Sequence, residues 1–253
     1  MGQPTSGPGG HPASPRPTLH PTGPNTTGDG EQCGAVGGAL VFFDLDETIT
    51  RHDTLLPYVW GFLLRYTPWR IPLMLGVLPA VLQFLLRFVD EGVVKQSFIR
   101  CAIGGSRRHT IEAWTRRFVP RLLARGVFAD AVKQLQQHKD SGDYLVLMSA
   151  STDLYVPTIA RELGFNESIC TGVRWDGEKL NGSLTTPNRK GAEKARCFTA
   201  LAEQHRDLTT VAYGNSFTDL PHLRLASRGV LVNGSQKARR AAQSFGVVCV
   251  DWN

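Results

Sequence analysis

The stretch Val41-Phe42-Phe43-Asp44-Leu45-Asp46-Glu47-Thr48-Ile49-Thr50 decides how the rest of the chain is read. An apolar run passes directly into two carboxylates separated by one leucine. Side chains two apart on a strand share a face, so extended geometry would turn Asp44, Asp46 and Thr48 toward one cleft. Paired carboxylates a few ångströms apart resist ionising together unless a cation lies between them. One of such a pair can act as a metal-bound nucleophile and the other as a proton-carrying acid. Asp-x-Asp alone is also what a solvated strand-end turn looks like, so the other strand ends must choose.

Residues 144–148 form a second apolar run, ending at Ser149-Ala150-Ser151, and residues 209–213 a third, ending at Gly214-Asn215-Ser216. Residues 229–232 and 247–250 read as two more strands. Continuous apolar strands separated by helical pattern predict an α/β fold with a parallel sheet covered on both faces. In such sheets ligands bind beyond the carboxyl ends of the strands, where each of these polar motifs falls. Ser149 offers a hydroxyl and a backbone N–H to a phosphate oxygen. Asn215 and Asp219 add oxygen donors, so Asp44, the Asp46 carbonyl and Asn215 form a plausible set for Mg²⁺, a hard cation that needs few protein ligands.

In order, Asp44-x-Asp46-x-Thr48, an apolar strand ending in Ser149, a lysine, and Gly214-Asn215 with Asp219 resemble the haloacid dehalogenase-like (HAD) phosphatases. Met148-Ser149-Ala150-Ser151 and Asp219-Leu220-Pro221 resemble the phosphoserine-phosphatase-like branch in particular. The likeness covers residues 39–250. It implies a Rossmann-like, doubly wound parallel sheet with an inserted helical type I cap, and Mg²⁺-dependent hydrolysis of a phosphate monoester. It also implies that Asp44 attacks phosphorus to form an aspartyl-phosphate, and that Asp46 protonates the leaving alkoxide and then activates water. Thr48, Ser149 and a lysine would serve the phosphoryl group, and Asp44, Asp46, Asn215 and Asp219 the metal.

Two lysines compete for that role. From Lys194 the positions +3, +4 and +7 are Cys197, Phe198 and Leu201, an apolar helix face; from Lys190 they are Glu193, Lys194 and Cys197. Periodicity favours Lys194. Asn215 stands where the family more often has aspartate, which removes one negative charge from the metal site. That substitution motivates an alternative reading, a catalytically weak scaffold that binds a phosphorylated ligand. Asp53 lies where phosphoserine phosphatases carry a glutamate that meets the substrate; it suits equally the N-cap of a helix starting near Thr54.

The sequence divides into a Gly/Pro-rich tail over 1–38, a core domain over 39–50 and 140–253, and a helical cap over 51–139. A tail of that composition cannot bury enough apolar surface to order itself, and it shows no secretory pattern. Its first six residues match the permissive N-myristoylation pattern, a coincidence expected in such a tail. With 42 % apolar residues the chain has material for a packed core. Five dispersed cysteines predict reduced thiols in the cytoplasm rather than a disulfide framework. The net charge of +6 accompanies no nucleic-acid motif and suits an anionic substrate or lipid surface.

Within the cap, residues 54–64 and 71–86 are uncharged, the second bracketed by Arg70 and Arg87. The second falls just short of the ~17–25 residues of a membrane span and contains Pro72 and Pro79. It reads either as buried cap core or as a segment lying in a membrane interface, with Trp60, Tyr66 and Trp69 at headgroup level. An apolar cap of this kind resembles phosphatidylglycerophosphatase C of the same branch. The expected substrate is therefore a phospholipid phosphate, with a soluble phosphoserine or small-metabolite phosphatase as the alternative. The expected location is cytoplasmic, peripheral on the inner face of the membrane.

Overall fold

The computed structural model describes residues 38–253. The tail expected over 1–38 lies outside them, Gly38 apart, as does Cys33. Strand β1 (Leu40–Phe43) is fully buried and occupies the middle of a six-stranded sheet. It pairs in parallel with β2 (Tyr144–Thr152) on one side, Phe42 facing Val146 across the register. On its other side it pairs with β6 (Thr210–Gly214), Phe42 facing Ala212. Beyond β2 lies β3 (Glu167–Thr171); beyond β6 lie β7 (Arg228–Val232) and β8 (Val248–Val250), all parallel.

The strand order β3-β2-β1-β6-β7-β8 is the doubly wound arrangement. The chain leaves β1 in one direction and later returns to its other side, so the topological switch falls between β1 and β6. Alternation along β1 builds both cores. Val41 and Phe43 join Leu145, Leu147 and Tyr213 in one cluster; Leu40 and Phe42 join Val146, Met148 and Ala212 in the other. The second cluster is closed by α7 (Ala192–Gln204), α8 (Leu220–Leu223) and α9 (Gln236–Ser244). A sheet buried on both faces accounts for strands that are apolar at successive positions.

Between β1 and β2 run α1 (Leu55–Tyr66), a 3₁₀ segment (Pro68–Val77), α2 (Leu78–Leu85), α3 (Glu91–Ile103), α4 (Arg108–Arg125) and α5 (Ala129–Asp140). Helix α1 buries Leu55, Tyr58, Val59, Phe62 and Leu63 against the first cluster. The stretch Pro68–Leu85 behaves differently: of its residues only Ala80 is buried. Burial within the cap is therefore not what makes 71–86 apolar. By length and composition alone this stretch could cross a membrane, with a mean hydropathy of 1.3. Its 3₁₀ half has Pro72 inside it, where the missing N–H interrupts regular helix.

Helix α6 (Val156–Leu163) links β2 to β3, and β4 (Val173–Asp176) and β5 (Lys179–Leu184) form an antiparallel hairpin. The hairpin turns at Gly177, which adopts φ +58°. Asn181-Gly182, whose composition suggests a turn, lies instead within β5. Gly182 has φ +86°, and a β-carbon there would lie 3.2 Å from the Arg100 backbone, so the glycine admits α3 against the hairpin. Two further differences concern β2 and β3. Strand β2 continues past Met148 to Thr152, its register with β3 shifting between those residues. The partly polar edge strand β3 carries no apolar run to announce it.

Candidate active site

The site begins where β1 ends. Asp44 N still donates to Tyr213 O at 3.0 Å, but beyond it the backbone folds over. Leu45 O collects the N–H groups of Thr48, Ile49 and Thr50 at 3.3, 3.0 and 3.0 Å. Glu47 takes φ +61° inside this turn. Asp44 and Asp46 thus meet through a tight turn, not through the strand alternation expected of extended backbone.

Asp44 Oδ2 accepts from Thr48 Oγ1 at 2.9 Å, and Asp44 Oδ1 accepts from Lys194 Nζ at 2.5 Å. The same ammonium donates to Asp219 Oδ1 at 2.8 Å. Asp219 Oδ2 is held by Ser216 N at 3.0 Å and Ser216 Oγ at 2.6 Å. Asp46 faces a different set: Oδ1 accepts from Thr54 N and Oγ1 at 2.7 and 2.6 Å, Oδ2 from Ser151 Oγ at 2.7 Å and Ser149 Oγ at 3.3 Å. Tyr155, its hydroxyl 2.9 Å from Thr54 Oγ1, completes that chain.

Two carboxylates around one buried ammonium leave an excess of negative charge. Burial, then the Asp219 and Asp46 charges, outweigh Lys194 and push the Asp44 carboxyl well above the usual range. Burial also opposes ionisation of Asp219, but Lys194, His222 and the bonds from Lys194 and Ser216 hold it below that range. Lys194 is raised despite its burial because Asp219 and Asp44 face it. His222, beneath the pair, is pushed down to about 3 by burial and by Lys194. Both its ring nitrogens lack partners among the described residues.

A cavity of about 410 Å³ opens over this cluster, lined by Asp44, Asp46, Asp219, Asn215, Ser151 and Lys95 among others. Thr48 and Ser149 are fully buried behind its wall, reaching it through Asp44 and Asp46. The geometry separates the two lysines. Lys194, on the first turn of α7, enters the cluster because Cys197, Phe198 and Leu201 bury the same helix face. Lys190 is half exposed at the rim and pairs with Glu91 of α3 at 2.6 Å. Asp53 stands one residue before Thr54, the N-cap of α1, rather than at the cap itself; its Oδ1 accepts from Leu56 N at 3.0 Å, and it also lines the cavity.

Sequence reasoning passed over three participants: Thr54, Ser151 and Lys95. Lys95 on α3 is almost buried, and its Nζ donates to Ala150 O at 2.7 Å and Asn188 Oδ1 at 2.5 Å. Among the described residues lining the cavity it is the one lysine or arginine in no ion pair. Burial pushes its pKa down to about 8. A signal existed: Phe98, Ile99 and Ala102 stand at +3, +4 and +7 from it, so this lysine sits on the buried face of its helix.

The oxygen donors suit a hard divalent cation. Asn215 Nδ2 donates to Glu47 Oε2 at 3.0 Å, which leaves Oδ1 as the amide's free acceptor. With Asp44, the Asp46 backbone carbonyl and Asp219 this is an all-oxygen set of the kind that suits Mg²⁺. It is not a cage: among the described residues no three His, Cys, Asp or Glu side chains could enclose a metal, so water would supply most of the coordination.

The family model for haloacid dehalogenase-like hydrolases matches residues 41–224, which takes in every residue of this cluster. The chain belongs to the haloacid dehalogenase-like hydrolase family. This HAD hydrolase is 28 % identical over 222 residues to phosphoserine phosphatase SerB1 of Mycobacterium tuberculosis, covering 82 % of the chain and 69 % of the relative. It is 29 % identical over 201 residues to protein CicA of Caulobacter vibrioides, covering 74 % and 82 %. Among solved structures, a Bordetella pertussis protein of unknown function superposes with a TM-score of 0.69 at 21 % identity, covering 85 % of this chain and 98 % of that one. A phospho-aspartyl intermediate analogue of phosphoserine phosphatase superposes with a TM-score of 0.59 at 14 % identity, covering 84 % and 93 %. These likenesses establish the HAD fold, and the enzyme is a phosphatase-type HAD hydrolase, phosphoserine-phosphatase-like in its relatives.

Proposed function

We propose that this enzyme is a Mg²⁺-dependent phosphomonoesterase that works through an aspartyl-phosphate on the phosphate group of a phospholipid such as phosphatidylglycerophosphate. The observation that carries the chemistry is the meeting of Asp44, Asp46, Lys194 and Asp219 under one cavity at the switch between β1 and β6. An Asp44 oxygen attacks phosphorus, the bond from phosphorus to the leaving oxygen breaks, and Asp46 delivers a proton to that oxygen. Asp46 then takes a proton from water, whose oxygen attacks phosphorus. The bond to Asp44 breaks, releasing inorganic phosphate and the Asp44 carboxylate.

Lys194 offsets charge on the transferring phosphoryl group, the largest electrostatic task in such a reaction. Thr48 fixes Asp44, and Thr54, Ser149 and Ser151 aim Asp46. Mg²⁺, held by Asp44, the Asp46 carbonyl, Asn215 and Asp219, would neutralise developing charge. Replacing the nucleophile tests the assignment: Asp44→Asn is expected to lower kcat by on the order of 10⁴-fold or more and to abolish acid-stable labelling of the protein by ³²P-substrate. Retained turnover would refute it.

The lipid reading rests on the surface of the cap over 51–139. Trp69, Leu75, Leu85 and Phe88 are among its most exposed apolar residues. Between Asp53 and Asp90 the chain has no carboxylate but carries Arg65, Arg70 and Arg87. That combination suits the anionic inner face of a membrane, where arginines snorkel and apolar side chains enter the interface. The Asp44→Asn protein is expected to float with phosphatidylglycerol vesicles and weakly with phosphatidylcholine; no flotation with either would remove the membrane partner. A second substrate, phosphoserine, is favoured by the likeness to SerB1. A panel of phosphoserine and phosphatidylglycerophosphate, each titrated with Mg²⁺, separates the two by kcat/KM.

A further inference from the structure

Helix α1 has two apolar faces, and one of them is largely exposed. While Leu55, Val59, Phe62 and Leu63 are buried, Leu56, Trp60 and Leu64 are 53 %, 39 % and 60 % exposed. Their spacing, i, i+4 and i+8, places them on one side of the helix, where apolar residues are not expected without a partner. The row has a definite start and end. At its start, Asp53 and Leu55 line the cavity over Asp44. At its end the chain passes directly into the 3₁₀ segment, whose Trp69, Leu73 and Leu75 are also exposed. Trp60 is not loose: its ring lies 6.4 Å from that of Phe98, on the helix that carries Lys95 into the cavity.

We infer that Leu56, Trp60 and Leu64 form a track for the hydrocarbon tail of the substrate, leading from the phosphate-binding cavity to the apolar rim of the cap. This rests on the phosphatase reading and narrows its substrate class to phosphate monoesters of long-chain amphiphiles. From Leu56 to Leu64 the row is about 12 Å long at a helical rise of 1.5 Å per residue. Asp53, which lines the cavity, accepts from Leu56 N at 3.0 Å, and this adjacency of the row to the cavity points to a tail attached to the phosphate being cleaved. Residues 54–89 hold no carboxylate, so along the row itself no acidic group is desolvated; the one beside it, Asp53, stands at its cavity end.

The test is a homologous series of n-alkyl phosphates, propyl to decyl, each assayed below its critical micelle concentration so that no membrane or micelle takes part. Full transfer of one methylene from water is worth a factor of about four; a track that covers one side of the chain should give about twofold in kcat/KM per methylene. In Leu56→Asp the slope should be lost from the shortest esters onward, and in Leu64→Asp only for the longer ones. Both positions are exposed, so melting curves that superimpose on wild type certify the fold. A flat wild-type series, or a Leu64→Asp series indistinguishable from wild type, overturns the track while leaving the phosphatase reading intact. Failure to hydrolyse any ester, phosphoserine included, overturns both. A wild-type dimer in light scattering that Leu64→Asp converts to monomer assigns the row to a second copy of the chain and overturns the track.

Discussion

Removing the Lys194 ammonium would leave Asp44 and Asp219 facing each other where little water reaches them. Breaking a buried ion pair by deleting one partner typically costs about 3–5 kcal/mol. Lys194→Ala is expected to lose that much in denaturant unfolding at pH 7, as well as activity. Lys95 offers a test that reads protonation. Its pKa is about 8 when folded against an ordinary 10.5, because burial disfavours the charge. Between those values the unfolded chain binds the proton that the folded chain lacks, so stability rises with pH across that window. The rise should reach on the order of 3 kcal/mol in wild type relative to Lys95→Met, measured by urea unfolding from pH 7.5 to 10.5; parallel pH profiles would contradict it. The spacing of Asp44, Asp46, Ser149, Lys194, Asn215 and Asp219 made each a visible candidate. Lys95 and Ser151 were overlooked because their roles depend on which strand end lies beneath which helix.

The same contrast holds for whole elements. Helix α7 was legible because its buried face follows Lys194 at helical spacing. Helix α1 was legible as a helix, but its periodicity could not say that one apolar face would stay largely exposed. Its buried face depends on Gly61: a β-carbon there would meet Trp114 Cζ2 at 2.5 Å. Trp114 cannot easily retreat, since its Nε1 donates to Tyr58 O at 3.0 Å. Gly61→Ala is therefore expected to destabilise by about 1–3 kcal/mol through overpacking, despite alanine's better helix propensity; an equal or higher melting temperature would show that α1 and α4 are less tightly engaged. Strand β3 and the place of Asn181-Gly182 inside β5 escaped the sequence reading for two separate reasons. An edge strand needs only one apolar side, and a glycine that admits a neighbouring backbone has the same local composition as a turn.

Across the whole molecule, the excess negative charge at the end of β1 makes metal binding a folding matter. A ligand bound only by the folded chain at a hundredfold over its Kd stabilises by about 2.7 kcal/mol. For a protein of this size that is a rise of about 5–10 °C in melting temperature, expected on adding Mg²⁺, reversed by EDTA, and reduced in Asp44→Asn. An unchanged melting temperature would argue against the proposed metal site. The linear pattern of apolar runs was sufficient for the parallel α/β architecture, since a strand buried on both faces must be apolar at successive positions. The order of polar residues at the strand ends was sufficient for the family. Neither could decide that the Asp44–Thr48 segment turns rather than extends, or that the Lys194 ammonium, favoured by helical periodicity, bridges Asp44 and Asp219. Nor could they decide that residues 68–85 would face outward. Those outcomes depend on which surfaces remain after the sheet has taken its helices, and that is settled by packing between segments distant in sequence.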